Sequence, residues 1–280
     1  MKVFSQKRPF LFGVSVTLAL MALMSGMNFV NRTIFPDLDT ITEAAISLVV
    51  ELALGMSVIL IGRHICISRG WFRAKGTVKG LMLGWLAIFY AVVMVLVAVI
   101  TEPVEYWIVP KPWPLFVAVG VAFAVGLFEE VLMRGIVLNV LLNKKGDTRK
   151  DIIKACWISS AIFGAIHMFN AIAGAGVIET VGQAVFATFA GMFFAAVYIR
   201  TKSLWAPIIL HAVFDLPEFI MIAVVSAKGL EDMVQEQAAK SIPEAIISTI
   251  TAVVLLIPFL IASLVLLRKK KIGGLQIEIL

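Results

Sequence analysis

Eight apolar segments, each about as long as a membrane-spanning helix, dominate this chain of 280 residues. A spanning α-helix needs about 20 mostly apolar residues. Hydrophobic residues make up 61% of the chain and charged residues only 15%, whereas ordinary soluble domains are about 25% charged. The pattern predicts an all-α, polytopic integral membrane protein, with one transmembrane domain over residues 1–280 and a polar site inside the bundle. The predicted spans are 9–30, 41–62, 80–100, 115–142, 152–170, 179–199, 203–225 and 244–267.

The basic residues are distributed unevenly between the two ends of these spans. With the N-terminus placed in the cytoplasm, 19 of the 24 Lys and Arg residues fall in inner segments and 4 in outer ones, with Arg134 inside a span. Cytoplasmic loops of membrane proteins carry the excess of Lys and Arg. The charges therefore predict a multi-pass protein of the cell membrane with both termini in the cytoplasm. Topology also explains the net charge of +6 without a nucleic-acid partner.

Three smaller features complete this organisation. Residues 1–8 are basic and precede a long apolar run without a convincing small-x-small cleavage site, which favours a retained first span over a cleaved signal peptide. Cys66 and Cys156 lie near the predicted inner face and form no CxxC spacing, so we expect neither a disulfide nor a cysteine zinc site. The longest outer loop, about 226–243, is expected to hold a short surface helix.

The fourth span, 115–142, contains two adjacent glutamates and an arginine. Each charge at the centre of a spanning helix costs roughly 2.5–3.5 kcal/mol. Glu130 and Arg134 are four residues apart, so they share a helix face and can pair. Glu129 points about 100° away from Glu130. It is therefore the carboxylate that is free to face partners on other helices.

Polar residues in two later spans are expected at the same depth. Glu130, His167 and Asp215 each lie 13 residues from the inner loop that adjoins their span, which corresponds to roughly 20 Å of helix. His211 is one turn nearer the cytoplasm. Polar groups inside a membrane almost always face the bundle interior or a wet cavity. We therefore expect one site near the bilayer middle, built around Glu129 and opening toward the cytoplasm.

This group of side chains favours hydrolysis of a carbonyl substrate, with or without a metal. Glu129, His167 and His211 could hold zinc with an open position for water, although no HExxH motif is present. Without metal, a carboxylate can act as general base and imidazole can stabilise an oxyanion. The alternative is a non-catalytic transporter or immunity-type binding protein, because intramembrane Glu, His and Arg also form proton relays. Taken singly, each group also fits a structural role.

Three motifs in these spans resemble those of the CPBP intramembrane proteases, the family of type II CAAX prenyl endopeptidases and bacteriocin-processing enzymes. The family motifs are EExxxR, FxxxH, and HxxxN or a relative. The resemblance covers roughly residues 115–220, which it suggests as the catalytic core. In this chain the motifs read Glu129-Glu130…Arg134, Phe163…His167 and His211…Asp215.

The resemblance implies an eight-span, all-helical endopeptidase that cuts a membrane-associated or lipidated peptide or protein within the bilayer. By this resemblance, Glu129 with His167 would activate the water. His211, with the polar residue of the third motif, would stabilise the oxyanion, and Glu130 and Arg134 would support the site. The resemblance does not settle whether zinc is a cofactor, which substrate is cut, or the oligomeric state.

The third motif departs from the common family pattern at Asp215, where asparagine is usual. An ionised aspartate cannot donate a hydrogen bond to an oxyanion. Asp215 could instead hold His211 in one tautomer or bind a metal. Phe163, Asn170 and Glu218 are expected around the catalytic residues rather than among them.

Overall fold

The chain is a bundle of α-helices in the computed structural model, which describes residues 1–65, 67–68, 70–145, 148–172 and 174–268. Across these ranges no β-strand occurs. The helices are α1 (Lys2–Lys7), α2 (Pro9–Ile34), α3 (Thr40–His64), α4 (Thr77–Leu83), α5 (Trp85–Thr101), α6 (Pro112–Glu130), α7 (Asn139–Lys145), α8 (Arg149–Ile166), α9 (Phe169–Ile172), α10 (Val177–Thr201), α11 (Trp205–Val224), α12 (Ala227–Ala239) and α13 (Ile242–Leu266), with a 3₁₀ turn at Val104–Tyr106 and a π-helical turn at Val131–Leu138.

The predicted polytopic, all-α fold is confirmed. Within the described chain, seven helical segments are long and apolar enough to cross a membrane, and α4 with α5 forms an eighth if the bent pair counts as one span. The pair bends by 56° at Gly84, where a Cβ would collide with the side chain of Leu210. The predicted span 80–100 is therefore this bent pair, and close packing against α11 explains its break.

Several helices begin at side chains that cap their free backbone N–H groups. Asp39 accepts hydrogen bonds from the backbone N–H groups of Ile41 and Thr42 at the start of α3, both at 3.1 Å. Bonds from Thr42 also hold the pKa of Asp39 below its ordinary value. Ser241 forms a capping box with Glu244 at the start of α13. Such caps satisfy donors that a helix leaves unpaired at its N-terminus.

The helices that carry the three motifs lie at the centre of the bundle. Helix α6 packs against α3 and α11, while α10 packs against α8 and α13. All eight residues of the π-helical turn after α6 are buried. Motif residues on α6, α8 and α11 are therefore surrounded by other helices rather than by lipid.

One end of the bundle, which we call the basic end, is formed by the described residues of the loops around 62–77, 139–149, 200–205 and 267–268. Ser203 Oγ donates to the Arg73 carbonyl oxygen at 2.7 Å. Arg149 Nε donates to the Leu267 carbonyl oxygen at 2.8 Å. These bonds tie together the loops that the charge pattern assigns to the inner face.

The opposite end carries a small structure that we call the cap, formed by residues 102–111 and 225–239. The Ser226 N–H donates to the Tyr106 carbonyl oxygen at 2.8 Å. The Tyr106 hydroxyl donates to Asp232 at 3.0 Å, and this bond raises the pKa of Tyr106. Helix α12 belongs to the cap and confirms the surface helix that was expected in the loop 226–243.

Candidate active site

The first motif forms a buried ion pair at the end of α6. Arg134 Nη1 lies 2.8 Å from Glu130 Oε1, and both side chains are fully buried. Arg134 Nη2 donates to the Gly191 carbonyl oxygen on α10 at 2.7 Å. The guanidinium group also faces the rings of Phe163 and Phe194. The predicted pair is therefore present, and it connects three helices.

The backbone around Arg134 is π-helical, and side chains donate hydrogen bonds to its carbonyl oxygens. Asn139 Nδ2 donates to the carbonyl oxygens of Arg134 at 2.8 Å and Gly135 at 3.0 Å. Ser159 Oγ on α8 donates to the Met133 carbonyl oxygen at 2.9 Å. Single π-helical turns occur frequently at functional sites. Here two side chains bond to carbonyl groups of the turn.

His211 joins the third motif to the first. Its Nδ1 lies 2.8 Å from Glu130 Oε1. Its Nε2 lies 3.4 Å from Glu129 Oε2 and 3.3 Å from Asp215 Oδ2. The ring stacks on Phe194, with centroids 5.0 Å apart. Both ring nitrogens therefore face carboxylate oxygens, an arrangement that suits an imidazole carrying a proton on each nitrogen.

His167, the last residue of the second motif, lies directly after the C-terminal end of α8. Helix α8 stops at Ile166, and His167 Nδ1 is 2.8 Å from the Phe163 carbonyl oxygen. The Phe163 ring packs edge-on against both His167 and His211, with centroid distances of 4.9 and 5.8 Å. His167 thus lies just past the C-terminus of α8 rather than inside the helix, and its predicted depth in the membrane stays a prediction. The break after Ile166 was not visible in the hydropathy.

A cavity of about 620 Å³ connects the motif residues. It exposes part of Glu129, whose side chain retains 19% of its accessible surface, while Glu130 retains none. Asn170 and Glu218 also line it, and Asn170 Nδ2 donates to Gln183 at 2.8 Å. The polar and motif residues in the wall are Glu102, Glu129, Phe163, His167, Asn170, Gln183, His211, Asp215 and Glu218.

The cavity extends toward the cap, not toward the basic end. Its wall includes Glu102 at the end of α5, Asn170 beyond α8 and Met233 on α12. His211, which was expected one turn nearer the cytoplasm than the other motif residues, is 4% exposed and belongs to the closed part of the cavity. The expectation that the site opens toward the cytoplasm stays a prediction, since the packing alone assigns neither end to a membrane face.

The residues expected to hold zinc do not form a metal site. In the described part of the chain, no three His, Cys, Asp or Glu side chains are arranged to hold a metal ion. A histidine ligand offers a nitrogen lone pair to the metal. Both nitrogens of His211 are instead directed at carboxylates, and Nδ1 of His167 at the Phe163 carbonyl oxygen. The metalloprotease prediction is therefore unsupported.

Several contributors to the site were not identified from the sequence. Asn139 was visible only as a break in an apolar run, and its position five residues after Arg134 was the available signal. Nothing in the sequence marked Ser159, Gly191 or Phe194, because these residues meet the motifs only through helix packing.

Comparison with known protein families gives a match over the region of the three motifs. Residues 111–217 match the family model described as type II CAAX prenyl endopeptidase, Rce1-like. The matched range contains all three motifs and supports the CPBP and CAAX-protease family that they predict. No curated protein and no solved structure gives a significant match to the chain.

Proposed function

We propose that this member of the CPBP and CAAX-protease family is a glutamate-dependent intramembrane endopeptidase of the cell membrane. The family itself indicates a protease of the CAAX type. One observation carries the finer assignment. Glu129 is the carboxylate of the first motif that reaches the cavity, and there it meets His211 of the third motif at 3.4 Å.

Glu129 acts as the general base for water. It accepts a proton as the water oxygen attacks the carbonyl carbon of the scissile peptide bond, and then gives that proton to the leaving amine nitrogen as the C–N bond breaks. His167 lines the same cavity with Nδ1 engaged by Phe163, so its Nε2 is the remaining polar atom that can orient the water. General-base assistance is typically worth about 10²–10⁴-fold.

His211 stabilises the negative charge that develops on the carbonyl oxygen. A ring protonated on both nitrogens carries a positive charge and donates from Nε2, which lies between Glu129 and Asp215. Donors aimed at a developing oxyanion are often the largest single contribution to catalysis. Asp215 Oδ2 lies 3.3 Å from His211 Nε2 and orients the ring. This orienting contact replaces the hydrogen bond that an asparagine would donate to the oxyanion.

Glu130 and Arg134 support the site and do not touch the substrate. The two side chains are fully buried. Glu130 Oε1 lies 2.8 Å from Arg134 Nη1 and 2.8 Å from His211 Nδ1. The ion pair therefore fixes one ring nitrogen of His211. It leaves Nε2 of His211 directed at Glu129 and Asp215, which line the cavity.

The test compares membranes that carry the intact protein with membranes that carry Glu129→Gln, by sequencing newly formed peptide termini. Glu105→Gln is the matched control, because Glu105 is exposed and does not line the cavity. We expect termini that require Glu129 and persist with Glu105→Gln. The same termini in Glu129→Gln membranes would reject the protease and favour the transporter or binding protein.

A further inference from the structure

We infer that the candidate active site receives its substrate from the extracytoplasmic side of the membrane. That a substrate enters there rests on the proposed function. The direction of opening follows from the direction of the cavity, the packing that closes its other end, and the charges of the two bundle ends.

The cavity runs from the motif residues to the cap end of the bundle. On α5 its wall extends from Tyr90 in the helix interior to Glu102, one residue past the last turn. On α11 it extends from His211 to Met221 near the helix end, and Met233 lines it from α12. Each of these series ends in or beside the cap, so the mouth of the cavity lies there.

The path from the motif residues to the basic end is closed by packed side chains. Trp71 is 2% exposed and fills the space between α3 and the π-helical turn. A Cβ on Gly62 would collide with its ring, and a Cβ on Gly135 would lie 3.1 Å from it. On α11, Ile208 and Leu210 have no exposed surface. Close-packed interiors leave few voids larger than a water molecule, so the described side chains at this end leave water no path to Glu129.

The charges decide which membrane face each end occupies. In the sequence, the segments predicted to lie on the inner side hold 19 Lys and Arg residues and those on the outer side hold 4, and the described loops of the basic end belong to the inner segments. Lys and Arg in short loops are retained on the cytoplasmic side. The cap, and with it the mouth of the cavity, therefore faces the extracytoplasmic side.

The cavity wall also restricts the substrate's chemistry. It includes five methionines and four carboxylates, and none of the described residues lining it is Lys or Arg. Methionine side chains adapt to varied apolar surfaces. A substrate with a carboxylate near the scissile bond would be repelled. The site therefore suits an apolar, non-acidic segment of an exported peptide or of an extracytoplasmic part of a membrane protein.

Cysteine labelling tests the direction of access. In a Cys66→Ala, Cys156→Ala background, single cysteines are placed at Ala98 in the cavity wall and at Val99, which is exposed on α5 but does not line the cavity. Ala238 in the cap and Ala74 at the basic end report the two faces. A membrane-impermeant maleimide is applied to intact spheroplasts and to inside-out vesicles.

We expect Ala98→Cys and Ala238→Cys to react in spheroplasts, and Ala74→Cys only in inside-out vesicles. Val99→Cys should be unreactive in both, because it faces lipid. Reaction of Ala98→Cys in inside-out vesicles but not in spheroplasts would overturn the inference, because the reagent would then reach the cavity from the cytoplasmic face alone. Reaction of Ala74→Cys in spheroplasts would overturn it as well, since the basic end would then be outside.

Terminal sequencing separates this inference from the proposed function. The labelling does not depend on catalysis and should be unchanged when Glu129→Gln is added. Glu129-dependent termini are expected in extracytoplasmic segments, and a set confined to cytoplasmic segments would overturn the inference while leaving the protease intact. Labelling of Ala98→Cys in spheroplasts without any Glu129-dependent terminus would reject the protease and retain the direction of opening.

Discussion

His211 Nδ1 lies 2.8 Å from Glu130 Oε1, so the histidine of the third motif is held by the glutamate of the first. The same oxygen lies 2.8 Å from Arg134 Nη1. These three residues come from two helices, and they form one continuous charged network in the bundle interior. The two adjacent glutamates consequently have different tasks, because Glu130 is fully buried in this network while Glu129 reaches the cavity.

Replacing Arg134 with alanine should destabilise the fold as well as reduce activity. Glu130 would keep His211 but lose its ion pair, and the Gly191 carbonyl oxygen would lose its donor. Breaking a buried pair typically costs about 3–5 kcal/mol. Thermal melting in detergent measures the loss, with Arg63→Ala as the control because Arg63 is exposed at the end of α3. Equal melting temperatures for both variants would contradict a buried pair.

Glu129→Gln and His167→Ala should each reduce kcat by at least about 10²-fold, the lower range for general-base assistance. His211→Ala should lose a comparable factor, because oxyanion donors are worth about 10²–10³-fold in kcat. Single-turnover cleavage by purified protein measures these effects, and the detergent melting curve shows whether Glu129→Gln and His167→Ala still fold. Cleavage at the parent rate by either of these variants would remove that residue from the mechanism.

Asn139→Ala should lower both stability and activity although Asn139 does not line the cavity. Its amide donates to two carbonyl groups at the π-helical turn and to the Tyr198 hydroxyl at 2.9 Å. An unsatisfied buried polar group costs about 1–3 kcal/mol. Asn139→Asp keeps the size but, when ionised, cannot donate, so it should behave no better than alanine. Parent-like melting of Asn139→Asp would show that these hydrogen bonds are dispensable.

Gly164→Ala should destabilise the contact that positions the second motif. A Cβ at Gly164 would collide with the Ala184 carbonyl oxygen and Thr188 Oγ1 on α10, so α8 and its His167 would have to shift. Gly26→Ala is the matched control, since nothing lies within 4 Å of its Cβ position. There the exchange should stabilise the helix by about 0.5–1 kcal/mol. Melting curves that move in the same direction for both variants would contradict this packing.

Chelation distinguishes the proposed mechanism from a zinc enzyme. Since both nitrogens of His211 face carboxylates, we expect purified protein to keep its activity after treatment with a strong chelator. Activity that disappears on chelation and returns with added zinc would show that these side chains rearrange around a metal. Dialysis against chelator followed by addition of zinc, with cleavage assayed at each stage, measures this.

Hydropathy and spacing are sufficient to predict the helices and the Glu130–Arg134 pair, because both follow from local rules. About 20 apolar residues are needed to cross a bilayer, and residues four apart share a helix face. The same rules do not reveal the break after Ile166 or the bend at Gly84. Both depend on which neighbouring helix packs against the segment.

The direction of the cavity and the partners of each motif residue depend on contacts between helices distant in sequence. His211 meets Glu130 across 81 residues, and Arg134 meets Gly191 across 57. Counting residues from a loop estimates how deep a residue lies along its own helix. It does not show at which end of the bundle the neighbouring helices close the cavity. Trp71 closes the basic end from a loop, and only the packing reveals which end of the cavity is closed.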